Sequence, residues 1–217
     1  MSHHHDHGCD CGCEENIKVL FQGDSITDCD RSRDDLKCLG HGYPMFIASR
    51  YLAKHPEYPV EFINRGVSGD RSRDLKARWD KDCIEIQPDL VSILVGINDV
   101  WRRYDNNDPT SVDQFADNCH DILTRTVEST DAGIILLEPF LLPVMDEQDA
   151  WREDLDPKIQ VVRALAREFD ASLIPLDGLF AQASTKREPE FWSADGVHPT
   201  FEGHALIAQA WLDAVDI

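Results

Sequence analysis

The junction between an apolar segment and a glycine-marked turn near the N-terminus constrains this chain more than any other feature. Residues 17–21 are mainly apolar, as is typical of a buried strand, and the turn at residues 23–28 (GDSITD) follows almost directly. A serine at such a turn is held at the edge of a sheet with its hydroxyl exposed, as a nucleophile requires. Taken alone, the pattern also fits an ordinary strand–helix turn in which Ser25 only caps the next helix.

Four later apolar segments repeat the pattern of a short strand followed by a helical segment. The predicted strands cover residues 60–63, 90–95, 134–137 and 173–176. Five helices are predicted. The first has Pro44 in its first turn, the second and third cover residues 74–86 and 111–128, the fourth begins after Asp156, and the fifth covers residues 201–215. Strands and helices that alternate five times indicate an α/β protein with a parallel sheet and helices on both faces. In such sheets the binding site lies beyond the carboxyl ends of the strands.

Length and composition predict one globular domain over residues 17–217. The chain has 217 residues, of which 42% are hydrophobic and 29% charged. It has neither an apolar run of about 18 residues nor a basic and then apolar leader, so we expect a cytoplasmic protein without a membrane span. The net charge of −20 disfavours nucleic acids and anionic membranes as partners. The 28 Asp and 13 Glu residues, against 7 Lys, fit a high-salt habitat or simply an acidic cytosolic protein.

Residues 1–16 are predicted to form a disordered His- and Cys-rich tail outside the domain. These side chains are potential ligands for zinc, copper or nickel, although cysteines at every second position do not match a C-x2-C knuckle. An expression-tag remnant or an unstructured tail is the alternative. The remaining cysteines are scattered, so buried free thiols are expected rather than a disulfide framework, at Cys29, Cys38, Cys83 and Cys119.

His198 follows a carboxylate at a spacing suited to general-base catalysis. Asp195 stands three residues before His198, in a glycine-containing turn ahead of the last predicted helix. This D-x-x-H spacing can place the carboxylate against the imidazole, where it fixes the tautomer and stabilises the imidazolium. Such a base is what Ser25 needs, because a serine hydroxyl is a poor nucleophile until its proton is removed. An ordinary helix entry explains the same residues.

Two further glycine-marked loops supply candidates for stabilising an oxyanion. Attack on an ester carbonyl builds negative charge on its oxygen, which requires preorganised hydrogen-bond donors. The candidates are the backbone N–H groups of Ser25 and Gly69 and the side-chain amide of Asn98. The preference of glycine and asparagine for turns explains either loop in isolation.

Together, four segments resemble the SGNH (GDSL-type) hydrolases, whose blocks are GDS, a glycine block, G-x-N-D and D-x-x-H in this order. They stand here at residues 23–25, 64–70, 96–99 and 195–198. The resemblance implies a flavodoxin-like three-layer α/β/α sandwich with a five-stranded parallel sheet, and a Ser-His-Asp hydrolase that uses no metal or other cofactor. It implies Ser25 as nucleophile, His198 as base and Asp195 as its orienting residue. Ser25, Gly69 and Asn98 would then form the oxyanion hole.

Within that family, four segments are similar to bacterial intracellular acetylxylan esterases: residues 23–29, 39–43, 74–79 and 96–102 (GDSITDC, LGHGY, DLKARW and GINDVWR). This resemblance implies a serine esterase that removes acetyl groups from a small carbohydrate through an acyl-enzyme; the oligomeric state stays open. Aromatic faces stack on sugar rings, so Trp101, Tyr104 and Trp192 are candidate substrate-binding residues, with ordinary loop packing as the alternative. The alternative functions are a lipolytic esterase or thioesterase of the same fold and a non-catalytic carbohydrate-binding module.

Overall fold

The computed structural model describes residues 16–215, and this range contains a five-stranded parallel sheet in the order β2-β1-β3-β4-β5. The strands are β1 (Ile17–Gly23), β2 (Val60–Asn64), β3 (Leu90–Leu94), β4 (Gly133–Leu137) and β5 (Ser172–Ile174). All five strand predictions are confirmed to within two residues at each end. Because the strands are parallel, their carboxyl ends meet at one edge of the sheet.

Helices cover both faces of the sheet, which confirms the predicted three-layer sandwich. The helices are α1 (Ser25–Asp28), α2 (Tyr43–Lys54), α3 (Ser72–Asp82), α4 (Ile97–Asp105), α5 (Val112–Ser129), α6 (Arg152–Glu168), α7 (Leu176–Ser184), α8 (Pro189–Trp192) and α9 (Phe201–Ala214), with short 3-10 turns at Ile84–Ile86 and Asp146–Trp151. One apolar core lies between the sheet and the pair α2 and α9, and the other lies between the sheet and α3, α5 and part of α6.

Alternate side chains of β1 enter opposite cores. Val19 and Phe21 pack on the side of α2 and α9, whereas Leu20 packs on the side of α3 and α5, and all three are fully buried. Burial on both faces explains why the strand is almost continuously apolar. Trp211 of α9 packs against Phe21, and its indole N–H donates to Ser92 Oγ of β3 at 3.1 Å, so the buried donor is satisfied.

One helix start agrees with the sequence prediction and another does not. Ser111 caps α5 through the predicted capping box with Gln114. By contrast, α6 begins at Arg152 rather than after Asp156, and Pro157 therefore lies inside the helix. The preceding 3-10 turn leads directly into α6, and an ion pair between Arg152 and Asp156, 2.5 Å apart across one turn, stabilises the segment before the proline.

The segment after β3 is a helix that local patterns did not predict. Asp99 is buried in its first turn and accepts hydrogen bonds from Ser72 N–H at 2.9 Å and Ser72 Oγ at 2.7 Å. Because Ser72 belongs to α3, these hydrogen bonds stabilise α4 through a residue that is distant in the sequence. Leu176, predicted to end the fifth strand, instead begins α7.

The predicted tail and its potential metal ligands lie outside the described residues, apart from residue 16. Of the free cysteines in the described range, Cys83 and Cys119 are buried as predicted, whereas Cys29 and Cys38 are half-buried. Between residues 16 and 215, no helix is both long and apolar enough to cross a membrane. The cytoplasmic location stays a prediction.

A buried ion pair within α6 leads to a prediction about stability. Lys158 is fully buried, and its Nζ lies 2.8 Å from Asp154 Oδ1. The substitution Asp154→Ala leaves the ammonium buried without its partner, so we expect a loss of about 3–5 kcal/mol in the free energy of unfolding, measured with urea. Replacing both residues, Asp154→Leu with Lys158→Met, should recover most of that loss.

The matched control for this prediction removes an exposed ion pair. Lys76 Nζ lies 3.2 Å from Asp121 Oδ1, and both side chains are more than a third exposed. Lys76→Ala should change the free energy of unfolding by less than about 1 kcal/mol. A loss for Asp154→Ala no larger than that of the control would contradict the prediction.

Candidate active site

Ser25 stands at the carboxyl end of β1, where close packing requires a glycine just before it. A Cβ atom added to Gly23 would lie 2.3 Å from Leu94 O, so no larger residue fits at the end of the strand. The chain then turns into α1, which is capped by Asp24, since its Oδ1 accepts a hydrogen bond from the Ile26 N–H at 3.0 Å. The alternative in which Ser25 serves only as the helix cap is therefore wrong.

The structure brings Ser25, His198 and Asp195 into one hydrogen-bonded chain. Ser25 Oγ lies 2.8 Å from His198 Nε2, although the two residues are 173 positions apart in sequence. On the other side of the ring, His198 Nδ1 lies 2.6 Å from Asp195 Oδ2. A neutral imidazole with its proton on Nδ1 donates to Asp195 and accepts from the Ser25 hydroxyl, which is the arrangement that general-base activation needs.

The turn that carries Asp195 and His198 is fixed by its own backbone. Asp195 Oδ1 accepts from the N–H groups of Val197 at 2.9 Å and His198 at 2.7 Å, which leaves Oδ2 for the imidazole. Gly196 has a φ of +84°, and a Cβ atom there would lie 2.7 Å from Leu142 O. The glycine of D-x-x-H is therefore required both by its backbone conformation and by close packing.

Backbone contacts tie the glycine block to the serine loop. The Val67 N–H donates to Gly23 O at 3.0 Å, and the Ser68 N–H donates to Asp28 Oδ2 at 2.9 Å. Asp28 therefore acts as a brace between the two loops, as its position in the motif suggests.

Gly69 lies in the loop after β2, and Asn98 lies in the first turn of α4; a hydrogen bond links these two segments. Gly69 has a φ of +87°, and a Cβ atom added to it would meet no atom within 4 Å, so the residue borders open space. One N–H of the Asn98 side-chain amide donates to Asp70 O at 3.1 Å. An amide nitrogen carries two N–H groups, so the second stays available as a donor.

Comparison with known proteins agrees with this geometry. The model of the GDSL-like lipase/acylhydrolase family matches residues 21–206. The chain belongs to this family. The hydrolase is 38% identical over 202 residues to an acetylxylan esterase of Geobacillus stearothermophilus, covering 90% of this chain and 92% of that protein. It is 24% identical over 170 residues to a thioesterase 1/protease 1/lysophospholipase L1 of Escherichia coli, covering 78% of this chain and 71% of that protein.

Solved structures of the Geobacillus acetylxylan esterase have the same fold as this hydrolase. One of them has a TM-score of 0.86 at 35% identity, covering 93% of this chain and 94% of that one. Others are described as catalytic mutants in which a serine, an aspartate or a histidine is replaced by alanine. The aspartate and the histidine are three positions apart in that protein, as Asp195 and His198 are here.

Hydrogen bonds within the site lower the pKa of Asp195 and raise the pKa of His198. Burial raises the pKa of Asp195, but hydrogen bonds from His198 and the backbone N–H groups outweigh it and lower that pKa to about 2. The hydrogen bond to Asp195 raises the pKa of His198 above its ordinary value, against the opposing effect of burial. The hydrolase therefore holds an ionised Asp195 beside an imidazole that readily accepts a proton.

A second carboxyl group lies beneath the site in a different environment. Asp24 is fully buried, and its Oδ2 has no hydrogen-bond partner among the described residues. Burial raises the pKa of Asp24 to about 7, against the lowering effects of the Ile26 N–H and His198. A protonated Asp24 therefore coexists with an ionised Asp195 in this hydrolase at slightly acidic pH.

The three predicted substrate-binding aromatics occupy different places. The Trp101 ring lies 5.8 Å from the His198 ring, centroid to centroid, and so flanks the site. The Tyr104 ring is stacked on Trp151 at 5.3 Å, and its hydroxyl donates to Ala150 O at 2.8 Å. Trp192 ends α8 and packs edge-on against Phe191, with the ring centroids 4.9 Å apart. The sequence did not indicate Trp151, which also contacts Trp101 at 5.6 Å.

A cleft of about 290 Å³ opens beside Ser25 on the side of α2 and α9. Its lining includes Cys29 and His204, which the sequence did not single out, together with Ser25, Ile26, Asp28, Asp30, Ser68, His198 and Pro199. His204 Nδ1 accepts from the Tyr43 N–H at 3.2 Å, and its Nε2 lies 3.5 Å from Cys29 Sγ. Burial lowers the pKa of His204 to about 4, so this second imidazole is neutral near pH 7.

The raised pKa of His198 generates a prediction about pH dependence. Only the neutral imidazole accepts the serine proton, so kcat/KM should rise with pH through an inflection above the ordinary histidine pKa. Asp195→Asn removes the largest cause of the raised pKa. We expect that inflection to move to lower pH and the rate to fall about 10⁴-fold. The measurement is the pH profile of p-nitrophenyl acetate hydrolysis.

The control for this profile is Asp131→Asn, an exposed residue just before β4 at the opposite edge of the sheet. Its inflection and rate should match the wild type. An Asp195→Asn profile with the wild-type inflection would show that Asp195 does not set the titration of His198.

Proposed function

We propose that the protein is a serine esterase that removes acetyl groups from a small carbohydrate such as an acetylated xylo-oligosaccharide. The observation that carries the proposal is the hydrogen-bonded chain from Ser25 Oγ through His198 to Asp195, with separations of 2.8 and 2.6 Å. In this proposal Ser25 is the nucleophile, His198 the general base and Asp195 the residue that orients the imidazole.

The first half-reaction transfers the acetyl group to the protein. Ser25 Oγ attacks the ester carbonyl carbon while its proton moves to His198 Nε2, and the carbonyl π electrons move onto the oxygen. The proposed donors to that oxyanion are the N–H groups of Ser25 and Gly69 and the free N–H of the Asn98 amide. Collapse of the tetrahedral intermediate breaks the bond to the sugar oxygen, which takes the proton from His198 and leaves as an alcohol.

The second half-reaction uses water in place of the alcohol. His198 takes a proton from a water molecule that attacks the acetyl carbonyl carbon of the acyl-enzyme. The bond to Ser25 Oγ breaks, the serine recovers its proton from His198, and acetate is released. Each turnover therefore consumes one ester and one water and requires no additional reactant.

Two observations favour a carbohydrate ester over a long acyl chain. The identity to the acetylxylan esterase, 38%, exceeds the 24% to the thioesterase and lysophospholipase. In addition, Asp28, Asp30 and Ser68 border the cleft beside Ser25, and such groups suit the hydroxyls of a sugar better than methylene groups. Neither the lipolytic alternative nor a non-catalytic binding module is favoured.

Replacing the proposed nucleophile is the direct test of the reaction. Ser25→Ala should lower the rate of p-nitrophenyl acetate hydrolysis by at least about 10⁴-fold, because no other group in the site forms the acyl-enzyme. Circular dichroism and the urea midpoint establish that the variant is folded, and Ser184→Ala on α7 is the matched control. Turnover near the wild-type rate by folded Ser25→Ala would refute the proposed mechanism.

A substrate series separates the proposed function from its lipolytic alternative. We expect kcat/KM to fall as the p-nitrophenyl ester lengthens from acetate to octanoate, and we expect acetate release from acetylated xylo-oligosaccharides. The polar lining of the cleft is the physical reason. A preference for octanoate, with no acetate released from the sugar esters, would instead support the lipolytic esterase or thioesterase.

A further inference from the structure

An exposed phenylalanine, Phe201, pairs with the partly buried Phe46, and the proposed mechanism uses neither ring. Phe201 is 68% exposed, more than the other large apolar side chains in the described range. Its ring meets Phe46 edge to face, with the centroids 4.9 Å apart and the planes at 84°. A phenyl ring with this exposed fraction is unfavourable in water, so we expect a binding partner to cover its free face.

The pair lies at the same edge of the sheet as Ser25. Phe201 is the first residue of α9 and follows His198 by three positions, while Phe46 lies in the first turn of α2. Because α2 connects two parallel strands, β1 and β2, it runs antiparallel to them and begins at the edge where the strands end. The start of α9 is placed at that edge by His198, which lies 2.8 Å from Ser25 Oγ.

His204 links this aromatic pair to the cleft beside Ser25. It follows Phe201 by three residues on α9, about 4.5 Å along the helix axis, so both project from the same side of the helix. His204 lines the cleft and binds the Tyr43 N–H, which is three residues before Phe46 on α2. Phe201 is therefore about one helical turn from His204, which lines the cleft, and Phe46 is about one turn from Tyr43, which binds His204.

We propose that Phe46 and Phe201 form a stacking platform for the sugar unit next to the one that carries the acetyl group. The inference rests on the proposed function, because it takes the alcohol part of the substrate to be an oligosaccharide. The acetylated sugar would occupy the cleft, where Asp30 and Ser68 meet its hydroxyls. The next sugar would then lay its C–H face on the exposed ring of Phe201.

The chemistry of this surface suits a neutral sugar chain. The net charge of −20 disfavours anionic ligands, whereas a neutral sugar pays no electrostatic penalty on approach. Sugar rings combine apolar C–H faces with hydroxyl edges, which matches an exposed phenyl ring beside polar groups. By contrast, the Trp101 ring is contacted by three groups, Trp151, His198 and Arg102, and it is less free than Phe201, whose one ring contact within the described range is Phe46.

The test compares a substrate that reaches the platform with one that does not. For each variant we take the ratio of kcat/KM on acetylated xylotetraose to kcat/KM on p-nitrophenyl acetate. Phe201→Ala and Phe46→Ala should each lower this ratio about three- to tenfold, mainly through a higher KM for the oligosaccharide. Phe201→Trp, which keeps an aromatic face, should keep most of the ratio. Val127→Ala, a half-exposed apolar residue on α5, is the matched control and should not change it.

The outcomes separate this inference from the function on which it rests. Wild-type protein that hydrolyses p-nitrophenyl acetate but releases no acetate from the oligosaccharide would refute the proposed substrate, and the platform with it. Normal oligosaccharide activity with unchanged ratios in both alanine variants would refute the platform alone. If the ratio falls in the alanine variants, light scattering is used to compare their oligomeric state with that of the wild type. A fall that accompanies a change in oligomeric state would assign the pair to an interface between copies of this chain and would refute the platform.

Discussion

The hydrogen bond between Ser25 and His198 depends on the strand order of the sheet. From β1 the chain first passes to β2 on one side and then crosses to β3 on the other, which opens a crevice between the carboxyl ends of β1 and β3. Gly23 at the end of β1 is in register with Leu94 at the end of β3, so the loops that carry Ser25 and Asn98 leave the sheet side by side. A strand order without this reversal would cover the serine with a crossover connection.

Two carboxyl groups near His198 show how environment alone separates the behaviour of identical side chains. Asp195 is partly exposed and accepts three hydrogen bonds, and its pKa falls to about 2, whereas burial with a single backbone donor raises the pKa of Asp24 to about 7. The ionised group faces the imidazole that becomes positive. The group next to Ser25 is buried, and its raised pKa disfavours a negative charge that would oppose a developing oxyanion.

Local sequence signals predicted the features of the fold that local forces determine. The capping box at Ser111 and the Asp195 turn are each stabilised by contacts within three residues, and the strands are visible because burial on both faces makes them almost continuously apolar. The helix α4 was missed because Asp99 is stabilised by Ser72, which is 27 residues away. The start of α6 was placed too late because Pro157 signals a first turn by its local preference alone. His204 and Trp151 belong to no motif and enter the site only through packing between distant elements.

The proposed catalytic groups belong to a motif that is visible in the sequence, whereas the proposed sugar contacts do not. Ser25, Asp195 and His198 are held by turns whose glycines cannot be replaced without a steric clash, so their spacing is visible in the sequence. Phe46 and Phe201 project from helices that are stabilised by buried residues elsewhere, so either ring can be exchanged without disturbing the turns. A fold built in this way can keep one hydrolytic reaction while the helix ends change the alcohol that it accepts. The catalytic motif therefore identifies the reaction, whereas the proposed contacts with the second sugar come from side chains outside that motif.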